Sequence, residues 1–202
     1  PDWEAVSAEL YDAALGTLPE DITALEFFGE RRNKRLAAFA THRGYTTLPV
    51  SLKLSRGGEP ELASPDWVES LALEGPDVES VIALHDQLFP NGYYTGRRLV
   101  EKASAGDMLL IARHGGVVQG YLFLHVEPAG REGYIDFIGV AEAARNQGLG
   151  RGLLSAAVSR ALSVPGTDTI SLTVREENTS ALRMYAAAGF RLRKAMVGYV
   201  RR

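Results

Sequence analysis

The chain has 202 residues, and its 46% hydrophobic and 23% charged content is typical of a globular protein. A net charge of −3 offers no clustered basic surface for nucleic acid, and the absence of cysteine excludes disulfides, thiolate metal sites and cysteine nucleophiles. No apolar run reaches the roughly 18 residues that cross a bilayer, and no signal-peptide pattern is visible. We therefore expect a cytoplasmic protein without nucleic-acid or membrane partners.

Helical and extended patterns alternate in the first quarter of the chain. The predicted elements are a helix (2–15), a strand (22–28), a second helix (32–45) and an extended segment (46–54). Gly44 is expected to stop the second helix. Residues 55–67 contain a Gly-Gly pair, two prolines and mixed charge, a composition that is typical of a linker.

The pattern restarts after this linker. The predicted order is a strand (69–75), helices (76–89 and 95–106), three strands (107–114, 117–127 and 133–140), a helix ending near 163, a strand (168–174), a helix (178–188) and a last strand (190–202). A turn is expected at 90–94, a hairpin at 114–116, and an N-cap at Asn178. Consecutive strands indicate antiparallel pairing, and helices between single strands indicate crossovers. A mixed sheet flanked by helices satisfies both.

Two segments of the chain resemble each other. NKRLAAFATHRGY (33–45) aligns with NTSALRMYAAAGF (178–190) so that the Asn, the Gly and the final aromatic residue coincide at one offset. The helices and strands upstream of both segments follow the same order. This internal repeat would make the start of the chain the second half of a unit similar to 69–202.

The sequence RNQGLGRG (145–152) places three glycines at the start of a predicted helix. The first turn of a helix has free N–H groups and the positive end of the dipole, and glycines let an anion approach closely. Arg145 and Arg151 add positive charge. We predict that these glycines make room for a pyrophosphate; the alternative is a tight strand–helix turn without a ligand. The loop lacks both the Walker G-K-[ST] and the dinucleotide G-x-G-x-x-G patterns.

Two motifs in the second part of the chain resemble those of the GNAT superfamily of acyl-CoA-dependent N-acetyltransferases. The loop at 145–150 matches R/Q-x-x-G-x-G/A. The segment 178–190, which is the second copy of the repeat, matches N-x-x-A…Y…G-F. The matching residues are Arg145, Gly148 and Gly150, then Asn178, Ala181, Tyr185, Gly189 and Phe190. The resemblance covers the chain from 69 onward, and the repeat is similar to tandem GNAT proteins, with some likeness to mycothiol synthase-like members.

The resemblance implies a GNAT fold, an α/β (α+β) fold with a mixed, mostly antiparallel sheet flanked by helices. We expect a degenerate partial GNAT-like repeat over 1–54, a linker over 55–67 and a catalytic N-acetyltransferase domain over 68–202. Strand 136–140 would separate from its neighbour and pair with pantetheine. Residues implied to bind acetyl-CoA are Ile138, Gly139, Val140, Arg145, Asn146, Gln147, Gly148, Leu149, Gly150, Arg151, Asn178 and Tyr185. The backbone N–H groups of 146–151 would hold the pyrophosphate, and the Ile138 N–H would polarise the thioester carbonyl.

The resemblance also implies catalytic roles. Tyr185 would protonate the leaving thiolate, because a phenol keeps its proton at neutral pH; the alternative is an ordinary core tyrosine. Asp136 is the best carboxylate for the general base; the alternative is a structural hydrogen-bond acceptor. Some GNAT enzymes carry a Glu on this strand where this chain has Tyr134. Glu127, His125 and a base acting through water stay as rivals, whereas a lone helical histidine such as His85 is more typical of the core or surface.

The expected function is transfer of an acetyl group from acetyl-CoA, as cosubstrate and without a metal, to a small-molecule or peptide primary amine. Tyr93 and Tyr94 would line the acceptor pocket or pack as ordinary turn residues. Ala40 stands at the position of Tyr185 in the repeat, so 1–54 is expected to be non-catalytic and to shape the acceptor site, to pack against the catalytic domain, or to complete a sheet in a homodimer. The alternatives are a non-catalytic acyl-CoA-binding or regulatory protein and a purely structural module.

Overall fold

The computed structural model describes residues 3–19, 21–58 and 64–202. The helices are α1 (Trp3–Leu15), α2 (Lys34–His42), α3 (Pro76–Leu88), α4 (Gly96–Ser104), α5 (Leu149–Leu162) and α6 (Thr179–Ala187). The strands are β1 (Leu25–Glu30), β2 (Thr46–Thr47), β3 (Ser51–Gly57), β4 (Val68–Ser70), β5 (Met108–His114), β6 (Val117–Glu127), β7 (Glu132–Val140), β8 (Thr169–Arg175) and β9 (Arg191–Arg201). Within these ranges, no helix has both the length and the apolar character that a bilayer crossing requires.

The predicted elements are confirmed in their order, but the extended segment 46–54 is divided between β2 and β3, α2 is shorter than predicted, and other boundaries differ. β1 begins at Leu25, later than predicted, and the Ile22 N–H before it donates to the Pro19 carbonyl. β4 is shorter than predicted, and Gly75, with φ of +104°, turns the chain into α3. β3 continues through Gly57, so the predicted linker starts too early. Residues 59–63 of that linker lie outside the described ranges.

The chain divides into two compact units, of which the first runs to Leu52 and includes Arg175–Glu177 and Lys194–Arg202. In this unit β9 pairs antiparallel with β1 and with β2. Its core contains the buried residues Ala40, Tyr45, Val197 and Tyr199. The first unit is therefore a small antiparallel sheet packed with aromatic and aliphatic side chains.

The second unit comprises Lys53–Val174 and Asn178–Arg193. Its strand order is β3-β8-β7-β6-β5-β4. Strands β4 to β7 form an antiparallel meander, whereas β8 lies parallel to β7 after the α5 crossover. The turn between β5 and β6 is formed by Gly115 and Gly116, both with positive φ, as the predicted hairpin requires. The mixed sheet flanked by helices is confirmed.

The predicted repeat extends to the caps of its helices. Asn33 caps α2 by accepting from the Leu36 N–H at 3.0 Å, and Asn178 caps α6 in the same way at 3.1 Å from Ala181. Both helices end in Schellman motifs, with a glycine in the left-handed region (Gly44 and Gly189), followed by an aromatic residue that donates back to the helix. The local geometry thus repeats at one offset, as does the helix–strand–helix–strand order.

The last strand of each repeat contributes to both units. Lys53–Gly57, which ends the first copy, belongs to the second unit, while Lys194–Arg202, which ends the second copy, belongs to the first. The domain bounds 1–54 and 68–202 stay predictions.

We predict that Gly96→Ala destabilises the protein by about 1–3 kcal/mol, because overpacking of a close contact carries that cost. A Cβ atom at Gly96 would lie 2.6 Å from the Cα and carbonyl oxygen of Ile82, where α4 begins against α3. Urea unfolding measures the change. Gly16→Ala is the control, since its nearest non-neighbouring atom would lie 3.5 Å away. Equal stabilities of the two variants would contradict the prediction.

Candidate active site

Strand β7 is the centre of the candidate site, and one residue interrupts its pairing. Its residues alternate between buried and half-buried along the strand. On β6, Phe123 pairs with Phe137 and Leu124 pairs with Ile135, which leaves Asp136 as the extra residue of a β-bulge. Bulges increase local twist and redirect side chains, and they often lie beside functional sites.

The parallel ladder between β7 and β8 ends beside this bulge. It runs from Glu132 and Thr169 to Ile135 and Leu172, and no later pair joins these two strands in the described chain. Residues 136–140 continue to pair with β6 on their other side. The predicted separation of strand 136–140 from its neighbour is confirmed. Main-chain groups of this segment that face β8 are consequently free of a ladder partner.

The loop that follows β7 leads into the N-terminus of α5. Asn146 and Gly148 both have positive φ, at 62° and 86°, and Gly148 is the N-cap of α5 without a side-chain capping bond. The first intrahelical bond runs from the Gly152 N–H to the Gly148 carbonyl at 3.0 Å. The N–H groups of residues 149–151 therefore have no intrahelical acceptor, and they lie at the positive end of the helix dipole.

The three glycines of this loop have different functions. Gly148 provides the left-handed conformation and faces open space. A Cβ atom at Gly150 would approach the Met184 sulfur at 3.3 Å, and one at Gly152 would overlap the ring of Trp67. Packing against the distant Trp67 therefore accounts for a glycine at position 152 without any ligand.

Two residues of α6 were predicted to serve the site. The Asn178 side chain caps the helix, as expected. Because Asn33 does the same in the first copy, capping accounts for an asparagine at this position without any ligand. Because the cap uses only the side-chain oxygen of Asn178, its NH2 group is available to donate a hydrogen bond to a ligand.

Tyr185 is the predicted general acid, and it is 5% exposed. Burial raises the pKa of its phenol to about 12. Its ring lies 6.0 Å from the Phe190 ring, and its hydroxyl has no hydrogen-bond partner within the described ranges. The phenol therefore holds its proton throughout the neutral range and is able to donate it.

A polar cluster lies at the β-bulge. Asp136 Oδ1 accepts from the Tyr93 hydroxyl at 2.5 Å, and Oδ2 lies 2.8 Å from His125 Nδ1. The Asp136 side chain is only 8% exposed, whereas that of His125 is 39% exposed. Burial, followed by the bond to Asp136, raises the pKa of Tyr93. The predicted base thus has both carboxylate oxygens engaged, and the sequence analysis did not foresee this cluster.

Tyr134 links β7 to β8 at the point where their ladder ends. Its hydroxyl donates to Thr173 Oγ1 at 2.8 Å, and its ring lies 5.7 Å from the His125 ring. Glu127, another rival base, is exposed at the end of β6 opposite Glu132. Tyr134 therefore links β7 to β8 where their ladder ends, and its hydroxyl group is not free.

The loop between α3 and α4 is fixed by a buried histidine. His85 Nε2 donates to the Tyr94 carbonyl at 2.9 Å, so Nδ1 accepts from the Tyr121 hydroxyl at 2.6 Å. Tyr94 packs against the core, whereas Tyr93 is 64% exposed and reaches Asp136. Tyr94 therefore packs as an ordinary turn residue, whereas Tyr93 contributes to the polar cluster at Asp136. His85 is a core residue, as expected.

The chain resembles known proteins in sequence and in fold. A family model described as the acetyltransferase (GNAT) family matches residues 78–190, more than half of the chain. The chain belongs to the acetyltransferase (GNAT) family. A mycothiol acetyltransferase from Clavibacter michiganensis subsp. michiganensis is 29% identical over 199 residues, which cover 92% of this chain and 64% of that protein. The chain thus spans less than two thirds of that relative.

Solved structures show the same fold. A GCN5-related N-acetyltransferase from Sphaerobacter thermophilus has a TM-score of 0.71 at 16% identity, over 98% of this chain and 65% of that one. A tandem GNAT protein from the clavulanic acid biosynthesis pathway has a TM-score of 0.66 at 18% identity, over 98% and 69% of the two chains. The predicted GNAT fold is confirmed.

Tyr185 should contribute to loss of stability in alkali. An exposed tyrosine ionises near pH 10, whereas the buried Tyr185 keeps its proton to about pH 12. The unfolded chain therefore releases a proton that the folded chain retains, so the contribution is complete below pH 10 and is lost as the pH rises towards 12. Urea unfolding should show a decline between these pH values that is roughly 2 kcal/mol smaller in Tyr185→Phe. Identical declines would refute the burial of this phenol.

Proposed function

We propose that this protein transfers an acetyl group from acetyl-CoA to a primary amine by direct attack on the thioester. The observation that carries the proposal is the opening between β7 and β8, which leads directly to a loop with unpaired N–H groups. An extended amide-containing arm fits the first feature, and a pyrophosphate fits the second.

Acetyl-CoA would bind mainly through the main chain. Residues 136–140 offer a free strand edge, to which the pantetheine amides would add as a short extra strand. The Ile138 N–H is proposed to polarise the thioester carbonyl as the tetrahedral intermediate forms. The pyrophosphate would accept hydrogen bonds from the N–H groups of 146–151, with Arg145 and Arg151 beside it.

Gly139 supports this arrangement from the opposite side of the strand. A Cβ atom there would lie 2.8 Å from both Leu88 and Tyr121, so the absence of a side chain permits the core to pack against β7. Its proposed contribution to binding is therefore made by its backbone. Asn178 would donate its free NH2 group to the pantetheine arm.

Tyr185 would complete the reaction by protonating the departing thiolate. Its raised pKa keeps the phenol neutral before transfer, which a proton donor requires. Ala40, its counterpart in the first copy, is fully buried and has no proton to donate. This supports a degenerate, non-catalytic repeat over 1–54.

The acceptor side is proposed to lie at the cluster around Asp136. Its buried carboxylate favours a cationic amine. The curated relative carries the name mycothiol acetyltransferase, so a mycothiol-type amine is the first acceptor to assay beside simple amines. A cytoplasmic location and a homodimer stay predictions. The described residues contain no group of three or more Asp, Glu or His side chains suited to a metal, and the proposed reaction requires none.

A non-catalytic acyl-CoA-binding protein is the second candidate. It is favoured by one observation, namely that Tyr134 is held by Thr173 and supplies no carboxylate. Both functions require acetyl-CoA binding, and only the first requires turnover, so binding and turnover are tested separately.

For binding, we predict that calorimetry detects micromolar acetyl-CoA affinity in the wild type and none in Gly148→Glu. A carboxylate at this N-cap would repel the pyrophosphate from the helix N-terminus. Gly148→Ala is the matched control, because it introduces the same backbone strain at positive φ without the charge. Wild-type affinity in Gly148→Glu would show that the pyrophosphate does not bind at this loop.

For turnover, we predict that Tyr185→Phe lowers kcat by about 10²-fold or more while the acetyl-CoA Kd stays unchanged, because general acid catalysis contributes that much. Thiol release measures the rate. Full activity in this variant would assign the proton donor elsewhere, and a wild type that binds acetyl-CoA without turning over any amine would favour the non-catalytic candidate.

A further inference from the structure

The proposed reaction needs a proton acceptor, and the cluster on β6 and β7 restricts which group can serve. A primary amine is protonated at neutral pH and must lose a proton before its nitrogen attacks. Tyr134 donates to Thr173, and both Asp136 oxygens accept hydrogen bonds. Within this cluster the imidazole of His125 is the exposed proton acceptor, whereas the Asp136 carboxylate is buried and already accepts two hydrogen bonds.

The hydrogen bond to Asp136 fixes the tautomer of that imidazole. An ionised carboxylate only accepts, so His125 Nδ1 carries the hydrogen that it donates over 2.8 Å. In the neutral ring Nε2 then bears the lone pair. The His125 side chain is 39% exposed, whereas that of Asp136 is 8% exposed. The histidine, not the carboxylate, is the member of the pair that an amine can reach.

We propose that His125 Nε2 is the general base of the amine acetyl transfer, with Asp136 as the residue that positions its ring. This inference rests on the proposed function. It assigns Asp136 an orienting role in place of the base role that its position on β7 first suggested. The arrangement corresponds to a carboxylate–histidine pair in which the buried carboxylate stabilises the imidazolium that forms.

Each proton in this reaction has a defined destination. Nε2 takes one proton from the acceptor ammonium, and the free amine nitrogen attacks the thioester carbon to form a C–N bond. The tetrahedral intermediate collapses with cleavage of the C–S bond, and Tyr185 gives its proton to the departing sulfur. The second proton lost by the nitrogen restores the Tyr185 phenol, and the imidazolium releases its proton to water. The products are an amide, free CoA and one proton.

Tyr93 is a second positioning residue in this proposal. It approaches from the loop between α3 and α4, which the bonds from His85 to the Tyr94 carbonyl and from the Gly96 N–H to Asp86 hold in place. Its 2.5 Å bond occupies the Asp136 oxygen that His125 does not use. The carboxylate is thereby held from two sides, and its orientation towards His125 is fixed.

The charged and titratable groups around His125 come from three elements. On β7 these are Asp136, Tyr134 and Glu132, and Glu132 is paired with Lys53 at 3.2 Å. The α3–α4 loop contributes Tyr93. The end of β5 opposite Leu124 is preceded by Asp107, which pairs with Lys102 at 3.1 Å. Asp136 is therefore the carboxylate that contacts the imidazole directly.

The test compares His125→Ala with the wild type, using two primary amines of similar size. One amine is largely protonated at pH 7 and the other is already neutral. We expect kcat/KM of the variant to fall by about 10²-fold or more with the protonated amine and much less with the neutral one, because only the first requires a base. Added imidazole should restore part of the lost rate. A merely structural role would reduce both rates alike.

The pH profile and Asp136→Asn complete the experiment. Wild-type kcat/KM should decline on acidification, because a protonated imidazole cannot accept the proton of the amine, and His125→Ala should lack that limb. Asp136→Asn should keep the limb at a reduced rate. Wild-type turnover of the protonated amine by His125→Ala, or equal defects with both amines, overturns the base assignment alone. Failure of the wild type to bind acetyl-CoA overturns the proposed function as well, and calorimetry distinguishes the two.

Discussion

The end of the parallel ladder at Ile135 and Leu172 is the constraint on which the site depends. Up to that pair β7 is an interior strand with neighbours on both sides. Beyond it the same strand keeps only β6, and the insertion of Asp136 occurs at this transition. A strand that is interior at one end and free at the other offers main-chain hydrogen bonds to a ligand without exposing a whole sheet edge.

The β-bulge lies at the centre of the polar cluster. Asp136, its extra residue, meets Tyr93 from one element and His125 from another, while buried and half-buried residues still alternate along β7. Past the bulge, the strand leads within a few residues to the loop at the start of α5, where N–H groups lack acceptors. The bulge is thus next to the proposed acceptor site at Asp136, and the proposed acyl site and anion site follow it along the chain.

Much of this fold could be predicted from the sequence, because its signals are local. Apolar periodicity located the helices and strands, and Asn178 and Gly189 marked the ends of α6. The loop motif and the tyrosine of α6 identified the family. The role of Gly152 could not be predicted, since its partner Trp67 is distant in the chain.

The polar cluster could not be predicted from local sequence signals either. Tyr93, His125 and Asp136 come from three separate elements, and their meeting depends on strand register and on the bulge. A bulge shifts register by one residue without altering composition, so alternation alone cannot locate it. The sequence alone could not choose between Asp136, Glu127 and His125 as the base, because only the folded structure shows which of their atoms already form hydrogen bonds.

The two copies of the repeat separate the requirements of folding from those of function. α2 and α6 share their asparagine caps and their Schellman motifs, so these features belong to the fold. Ala40 and Tyr185 differ at matched positions. The phenol, which only the second copy carries, is the group to which the proposed proton transfer is assigned.

Backbone hydrogen exchange with and without acetyl-CoA tests the central claim most directly. If the thioester arm adds to the free edge of β7 and the pyrophosphate lies at α5, amides within 136–151 should exchange more slowly in the presence of acetyl-CoA. Residues 33–45, the counterpart of α6 and its caps, should be unaffected. Unchanged exchange over 136–151 under conditions of saturated binding would contradict the account and place the cosubstrate elsewhere.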